Sequence, residues 1–266
     1  LKEFCPARHG VAAQQLWQAC LATSYPMTAR TLRMIGWDRP NYQPGDGVVA
    51  LAGETVVGLG LLEIARPATA DLTGSISVLL VHPSHQRQGL GTRLLAALEA
   101  RLLTQGCTAA RPGCGLTRFW AGVPTDLPAA HAFFSSRGYP LKGQVWDLVV
   151  DLAPDQYDGP AWRAQLAAAG LTLESSTLAT IGDFLSFECR EFPGWVGSSL
   201  RLAGAGEVAG LLQLRHQGEL VGTIQAFQPA SRFRPQNLAW DGVFGAALGG
   251  YGAVGIAKAC RGRNWG

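Results

Sequence analysis

The sequence lacks three features that would assign it to common functional classes. No stretch reaches the roughly 18 consecutive apolar residues that a membrane-spanning helix needs, so we expect no membrane partner. None of its six cysteines forms a CxxC pair, which argues against a zinc ribbon or a thioredoxin-type motif. We therefore expect free thiols, no bound metal and a reducing cytoplasmic location. The first residues, 1–4, do not have the pattern of a signal peptide.

Charge is also scarce. Only 15% of the residues are charged, and 22 Lys and Arg against 19 Asp and Glu give a net charge of +3. The densest basic cluster is Arg261-Gly262-Arg263, which is too short for the basic stripe that nucleic-acid binding favours. The composition therefore argues against a nucleic-acid partner, but it is compatible with a small anionic ligand.

What the sequence does contain is enough apolar material for a large core. Hydrophobic residues make up 47% of the 266 residues, which is typical of a globular chain of two domains. Hydrophobic periodicity in the first 152 residues predicts the order β-α-α-β-β-β-α-β-α-β, an α/β fold with a mixed sheet and helices on both faces. The predicted strands are 1–7, 48–51, 55–64, 75–81, 117–123 and 145–152, and the predicted helices are 9–21, 27–37, 89–105 and 126–137.

Proline, glycine and aspartate concentrate at residues 153–161, where we place a linker. This choice divides the chain into a first domain of residues 1–152 and a second domain of residues 162–266. The second domain repeats the pattern of the first. Residues 56–65 align with 220–227, and residues 75–91 align with 252–266. The long helix of the first copy has no counterpart within these residues, so we expect an incomplete second copy.

The most specific feature is the segment from Gln86 to Thr92, QRQGLGT, which follows an apolar strand and begins an amphipathic helix. The first backbone N–H groups of a helix have no internal partners, and the helix dipole adds partial positive charge there. Gly89 and Gly91 carry no side chains, so a phosphate can approach the backbone closely. The segment therefore predicts a diphosphate site made of main-chain amides.

Two better-known phosphate motifs do not fit. A Walker A loop, GxxxxGK[ST], is absent. The letters of residues 250–255, GYGAVG, match the dinucleotide fingerprint, but no strand pattern precedes them and no acidic residue follows about 20 positions on. We therefore expect no dinucleotide site.

The pattern Q-x-x-G-x-G after a strand that ends in Val-His-Pro resembles motif A of the GNAT acetyltransferases. The predicted element order is similar to that family, and residues 129–139 resemble its last helix. The resemblance covers residues 1–152 well and residues 162–266 more loosely, so the whole chain resembles a tandem, two-copy GNAT protein. In the second copy Asn264 and Trp265 replace Gly89 and Leu90, and we expect that copy to be degenerate.

The resemblance implies an N-acetyltransferase that uses acetyl-CoA as co-substrate and a small-molecule or peptidic primary amine as acceptor. The cofactor would lie where strand 75–81 splays from strand 117–123, and the amine would attack the thioester directly. The implied cofactor-binding residues are Leu79, Leu80, Val81, Gln86, Arg87, Gln88, Gly89, Leu90, Gly91, Thr92 and Phe134.

The catalytic residues are not evident from the sequence. Phe134 occupies the position at which many family members have a tyrosine general acid, and it has no proton to donate. Glu63, near the end of the third strand, is a weak candidate for the general base, with a solvated carboxylate as the alternative interpretation. The histidines His82, His85 and His131 are expected to be structural or exposed.

Two other functions remain open at this point. The missing tyrosine is compatible with a CoA-binding regulatory module that has lost catalysis, and the cradle alone is compatible with another phosphorylated ligand. Trp120 and the segment 231–240, which includes Arg232 and Arg234, are candidates for substrate contacts.

Overall fold

A computed structural model describes residues 1–39, 41–65, 72–115, 120–152, 159–231 and 236–265. The chain folds into two compact units that do not follow the chain order strictly. Unit 1 comprises Leu1–Trp146 and Arg234–Leu248, and unit 2 comprises Asp147–Phe233 and Gly249–Gly266. A segment from the second half of the chain therefore belongs to the first unit.

Unit 1 is a five-stranded mixed sheet with helices. Its strands are β1 (Lys2–Glu3), β2 (Gly47–Ala52), β3 (Thr55–Ala65), β4 (Thr73–Val81) and β5 (Ala109–Pro112), and its helices are α1 (Pro6–Leu21), α2 (Ala29–Gly36), α3 (Leu90–Thr104) and α4 (Pro128–Ser135). The strands lie in sequence order, β1-β2-β3-β4-β5. All neighbours are antiparallel except β4 and β5, which are parallel. The expectation of a mixed α/β sheet is confirmed.

Helix α3 approaches the sheet closely because three strand positions opposite its leucines are glycines. A Cβ placed on Gly58 would lie 2.9 Å from Leu94 Cδ1, and one on Gly60 would lie 2.9 Å from Leu98 Cδ1. The same relation holds between Gly74 and Leu102. Leu94, Leu98 and Leu102 are at most 2% exposed, so this interface is fully desolvated. Leucine on the helix and glycine on the strands together fix the position of α3.

The other large apolar cluster of unit 1 lies under α1 and α2 and is rich in aromatic rings. Trp17 is fully buried, and Trp240 packs into the same cluster. The ring centroid of Trp240 lies 4.7 Å from that of Trp120 and 5.1 Å from that of Tyr25. The second-half segment thus supplies an aromatic residue to the core of unit 1.

Unit 2 repeats the arrangement of the first four strands of unit 1. It contains the helices α5 (Gly159–Ala168), α6 (Ile181–Glu191) and α7 (Val196–Gly204) and the strands β6 (Leu171–Ser175), β7 (Leu211–His216), β8 (Glu219–Phe227) and β9 (Gly250–Ile256). The strand order is β6-β7-β8-β9, and all neighbours are antiparallel.

The two hairpins agree residue by residue. Val49 pairs with Leu59 in unit 1, and Gln213 pairs with Thr223 in unit 2. Each hairpin also has a register shift at the equivalent position. It lies between Ala50 and Leu51 in unit 1 and between Leu214 and Arg215 in unit 2. An irregularity that recurs at the same place indicates equivalent backbones, because bulges are specific local features of a sheet.

Two predicted strands are wrong. Residues 145–152 form no strand, and side chains such as Trp146 (76%) and Leu148 (86%) are exposed. Their β-branched and aromatic pattern favours a strand only where a sheet edge accepts it, and no described strand pairs with them. The strand predicted at 117–123 is also not found: residues 120–123 form no strand, with bends at 121–123, and residues 117–119 lie outside the described residues. The parallel neighbour of β4 is instead Ala109–Pro112, whose Ala-Ala-Arg-Pro sequence carries little strand signal.

Three further observations bear on the opening expectations. Among the described residues, no helix combines the length and apolarity that crossing a membrane requires. The same residues contain no group of three or more His, Cys, Asp or Glu side chains arranged to hold a metal ion. All six cysteines are free thiols.

The close packing of α3 on the sheet gives a first prediction. We expect Gly60→Val to lower the free energy of unfolding by about 1–3 kcal/mol, because the new side chain would overlap Leu98 and Val48 in a close-packed interface. Urea unfolding followed by tryptophan fluorescence measures this effect. Gly143→Val is the matched control, since a Cβ there meets no atom within 4 Å. Equal unfolding midpoints for the two variants would contradict the close contact.

Candidate functional site

The loop that follows β4 is held in place by side-chain hydrogen bonds. Pro83–His85 forms one 3-10 turn, and Nδ1 of His82 accepts the Ser84 N–H at 3.3 Å. On the far side, Nε2 of Gln86 donates to the carbonyl of Val81 at 3.0 Å. His82 and Gln86 therefore shape the loop, and the capping bond gives His82 a structural role.

The chain then enters α3 through left-handed backbone. Arg87 has φ 60° and Gly89 has φ 78°, and Gly89 is the N-cap residue of α3. Among the described residues, no acceptor takes a hydrogen bond from the backbone N–H groups of residues 87–92. These amides lie at the positive end of a helix of 15 residues, and Gly89 is exposed to solvent. The loop is a concave set of free donors, as an anion cradle requires.

A basic side chain that the sequence analysis did not select lies beside this cradle. Nη2 of Arg137 donates to Oγ1 of Thr92 at 2.6 Å, and its guanidinium lies 3.9 Å from the ring centre of Phe133. Nη1 of Arg137 donates to the Phe133 carbonyl at 3.0 Å and to Ser136 Oγ at 2.9 Å, and the residue as a whole is exposed. In the sequence, Arg137 was recognisable only as the basic residue at the end of the helix predicted over 126–137, before Gly138. The contact with Thr92 depends on tertiary structure.

The ring next to the cradle belongs to Phe133. A Cβ on Gly91 would lie 3.3 Å from the ring of Phe133. Phe134 instead points into the apolar cluster that includes Leu95 and Leu98, and it is 9% exposed. The assignment of Phe134 as a cofactor contact stays a prediction.

Within the described residues, the second half of β4 pairs with a strand on one side only. The parallel ladder with β5 ends at the pair Ile76 and Pro112, and Gly113 N–H adds one bond to the Ile76 carbonyl at 2.9 Å. Beyond this point no strand of the described residues pairs with β4 on that side, up to Val81. The free edge of β4 lies immediately before the cradle loop.

Glu63 is buried and engaged rather than solvated. Its carboxylate is 0% exposed and accepts a hydrogen bond from Asn41 Nδ2 at 3.1 Å. The guanidinium of Arg39 lies 3.9 Å from Glu63 and 3.5 Å from Asp46. Burial lowers the pKa of Arg39, and the two carboxylates oppose that effect. A Cβ on Gly115 would collide with the Glu63 carboxylate. The role of Glu63 as general base stays a prediction. The surroundings of its carboxylate are typical of a buried network of charged groups.

Two other polar side chains of unit 1 also have partners. The hydroxyl of Tyr25 donates to Oδ1 of Asp126 at 2.5 Å, and burial together with this bond raises the pKa of Tyr25. Nε2 of His131 lies 2.9 Å from the carbonyl of Pro124. Arg232 and Arg234 lie outside the described residues.

Unit 2 contains a loop with the same backbone path. Lys258–Cys260 forms a 3-10 turn after β9, Gly262 has φ 79° and Asn264 has φ 59°. Trp265 packs against the apolar cluster of Leu171, Leu214 and Val221. The hexapeptide 250–255 lies within strand β9 and not in a strand–turn–helix.

Comparison with known proteins gives a matching family model for part of the chain and a fold for nearly all of it. Residues 11–139 match the model of the acetyltransferase (GNAT) family. A mycothiol acetyltransferase of Cellulomonas flavigena is 28% identical over 243 residues, which cover 82% of this chain and 61% of that protein. The chain therefore spans less than two thirds of this relative.

A solved structure matches nearly the whole chain. It contains a GCN5-related glucosamine N-acetyltransferase region of a fungal multi-domain GH3 β-N-acetylglucosaminidase. The TM-score is 0.84 at 22% identity, over 98% of this chain and 32% of that one. This chain has the mixed α/β fold of the GNAT acyl-CoA N-acyltransferases, as the sequence predicted.

Cys20 supports a prediction about the end of β4. Its Sγ lies 3.4 Å from the Val81 carbonyl, and burial raises the pKa of the thiol to about 11. Against the ordinary thiol value of 9.0, this rise of about two units lowers the thiolate fraction at neutral pH by about 100-fold. We expect iodoacetamide to label the exposed Cys5 and Cys189 at least about 100-fold faster than Cys20, as measured by peptide mass spectrometry.

Labelling in denaturant is the control for this experiment, because all three thiols should then react at similar rates. Labelling of Cys20 at the rate of Cys5 in the folded chain would show that the end of β4 is open to solvent at this point.

Proposed function

We propose that this chain, whose residues 11–139 match the model of the GNAT acetyltransferase family, is an acetyl-CoA-dependent N-acetyltransferase with its cofactor on unit 1. The acceptor is a primary amine of a small molecule or a peptide. The carrying observation is the cradle: free amides at residues 87–92, left-handed backbone at Gly89 and a long helix dipole behind them. This arrangement favours a diphosphate, which acetyl-CoA supplies.

The neighbouring features fit the rest of the cofactor. The unpaired edge of β4 would offer main-chain groups at Leu79 and the N–H of Val81 to an extended amide-containing arm, which is the chemistry of pantetheine, while the Val81 carbonyl already accepts from Gln86 and Cys20. A backbone N–H at this edge would stabilise the oxyanion that forms when the amine attacks the thioester. Phe133 beside Gly91 and Arg137 beside Thr92 would flank the nucleotide end.

Proton transfer would depend on few groups. Phe134 carries no acidic proton, so the thiolate would leave without an acid at that position. Glu63 is the carboxylate candidate for the base, although Asn41 and Arg39 already engage it. A direct transfer between two bound substrates gains much of its rate from proximity, which lowers the demand on acid and base.

We further propose that unit 2 is a second copy of the same domain. The shared register of the hairpins and the shared backbone path of the two loops support this proposal. The interpretation of the second copy as degenerate rests on Asn264. That residue adopts the left-handed conformation of Gly89 but adds a side chain where an anion would approach.

The relatives suggest where to begin with the acceptor. One bears the name mycothiol acetyltransferase, and the structural neighbour is described as a glucosamine N-acetyltransferase region. Glucosamine is therefore the first amine to assay, followed by amino acids, polyamines and peptides with free N-termini.

The alternative function is a CoA-binding regulatory module without catalysis. The observation in its favour is that Glu63 and Tyr25 are occupied by internal partners and that Phe134 is apolar. Transfer of acetyl groups to any amine, or hydrolysis of acetyl-CoA above the background rate, would exclude it.

Calorimetric titration with acetyl-CoA tests the cradle. We expect micromolar binding by the parent chain and no detectable binding by Gly89→Glu/Gly91→Glu, because two carboxylates would occupy and repel the diphosphate position. Gly143→Glu/Gly53→Glu is the matched control for added charge, since a Cβ at either glycine meets no atom within 4 Å. Absence of binding by a folded parent would refute the acetyltransferase proposal.

Arg137 provides a separate prediction. Arg137→Ala should weaken acetyl-CoA binding by about tenfold, because a charge-assisted hydrogen bond to a phosphate is lost. The affinity of Arg137→Lys for acetyl-CoA should lie between those of the parent and Arg137→Ala, because lysine keeps the charge but lacks the planar guanidinium group. Arg30→Ala removes an exposed arginine elsewhere in unit 1 and should bind like the parent. Equal affinity of Arg137→Ala and Arg30→Ala would remove Arg137 from the site.

A further inference from the structure

Two aromatic residues border the unpaired stretch of β4 in unit 1. The ring of Tyr25, which follows α1, lies 4.9 Å from the ring of Trp120 in an edge-to-face arrangement. Cys114 N–H, just beyond β5, donates to the Trp120 carbonyl at 2.8 Å. Both rings pack against the apolar cluster that contains Val78 and Leu80 of β4. Tyr25 and Trp120, the aromatic border, therefore lie beside the part of β4 where the thioester of the cofactor is expected.

Tyr25 holds a carboxylate at this border. Its hydroxyl donates to Oδ1 of Asp126 at 2.5 Å, and the two residues are 101 positions apart in the sequence. Tyr25 is itself fixed to α1, because Trp17 Nε1 donates to the Tyr25 carbonyl at 2.8 Å and the Tyr25 N–H donates to the Leu21 carbonyl at 2.7 Å. The hydrogen bond from Tyr25 therefore fixes the Asp126 carboxylate relative to the aromatic border.

The Asp126 carboxylate can accept further hydrogen bonds and is open to solvent. An ionised carboxylate has two oxygens with about four acceptor positions, and Tyr25 engages Oδ1. Within the described ranges, Asp126 takes part in no ion pair, and the residue is exposed. A Cβ on Gly122, which lies between Trp120 and Asp126 in the sequence, would meet no atom within 4 Å. A ligand can therefore reach Asp126 without displacing packed side chains.

Helix α4 connects this carboxylate with the cradle. Asp126 lies two residues before α4 begins at Pro128, and Phe133 of the same helix lies beside Gly91 of the cradle. At a rise of 1.5 Å per residue, Pro128 and Phe133 are about 8 Å apart along the helix axis. The Asp126 carboxylate and the expected diphosphate position are therefore held near the two ends of one short helix.

The chemistry of these three side chains favours a cation with a carbon skeleton. A carboxylate accepts charge-assisted hydrogen bonds from an ammonium group, and tryptophan and tyrosine rings attract cations and contact apolar groups. A primary amine is protonated at neutral pH, so it reaches the protein as an ammonium ion. An anionic molecule of the same size would be repelled by the Asp126 carboxylate.

We propose that Asp126 recognises the ammonium group of the acceptor and that Tyr25 and Trp120 contact the carbon skeleton beside it. Asp126 is the specificity-determining residue, and Tyr25 is a positioning residue because its hydroxyl orients the carboxylate. The substrate class is a protonated amine on a compact skeleton, such as an amino sugar. This inference rests on the proposed function, because it assigns the acceptor side of the same site.

Ligand-observed NMR titrations in the presence of CoA compare glucosamine with glucose, which has the same ring without the charge. We expect the parent to bind glucosamine at least about fivefold more tightly than glucose, as an exposed carboxylate–ammonium contact allows. Asp126→Asn should remove this preference, although asparagine can still accept the hydrogen bond from Tyr25. Glu54→Gln, which neutralises an exposed carboxylate in the turn between β2 and β3, should keep the preference.

Tyr25→Phe tests the positioning role, because it keeps the ring and removes the hydroxyl. The preference for glucosamine should fall to a value between those of the parent and Asp126→Asn, while the affinity for glucose stays unchanged. A purely structural role of Tyr25 would change both affinities or neither. Either of these two results would contradict the assignment of Tyr25.

The affinity for CoA is measured first in every variant. Equal affinity of the parent for glucosamine and glucose would overturn the assignment of Asp126, and so would an equal preference in Asp126→Asn and Glu54→Gln. If CoA still binds in these cases, only the acceptor side is refuted. Absence of CoA binding by a folded parent would instead refute the proposed function, and the acceptor assignment would fall with it.

Discussion

The fit of three leucines on one helix against three glycines on the sheet fixes the candidate cofactor site. Because Leu94, Leu98 and Leu102 pack directly on the strands, α3 has one axial position and one orientation. The free amides at its first turn are therefore held beside the end of β4. A phosphate site made of main-chain amides depends on the position of α3 more than on any side chain within the site. Any sequence that begins a helix at this position would supply the same N–H donors.

The two units show how one backbone accommodates different interiors. The hairpin register, the position of the bulge and the left-handed residues of the loop agree between them. The buried residues of the hairpins do not: Val49 and Leu59 in unit 1 correspond to Gln213 and Thr223 in unit 2. Apolar packing would stabilise unit 2 more than these buried polar side chains do.

Sequence reasoning located the features that depend on local chemistry. The strand end, the glycine pair and the amphipathic helix lie within about twenty residues, and together they predicted the cradle and the fold. Sequence reasoning failed where the structure of a segment depends on a partner that is distant in the sequence. The strand-like residues around Trp146 found no sheet edge, and β5 formed from a sequence with weak strand signal. Arg137 was missed because its partner, Thr92, is 45 residues away in the sequence.

A cradle of main-chain amides binds a diphosphate without regard to the acceptor, so acceptor choice must come from side chains. In the described part of unit 1 the polar candidates already have partners: Asn41 and Arg39 hold Glu63, and Tyr25 holds Asp126. The main-chain amides of the cradle would therefore supply affinity for the diphosphate and leave the choice of acceptor to side chains outside the cradle.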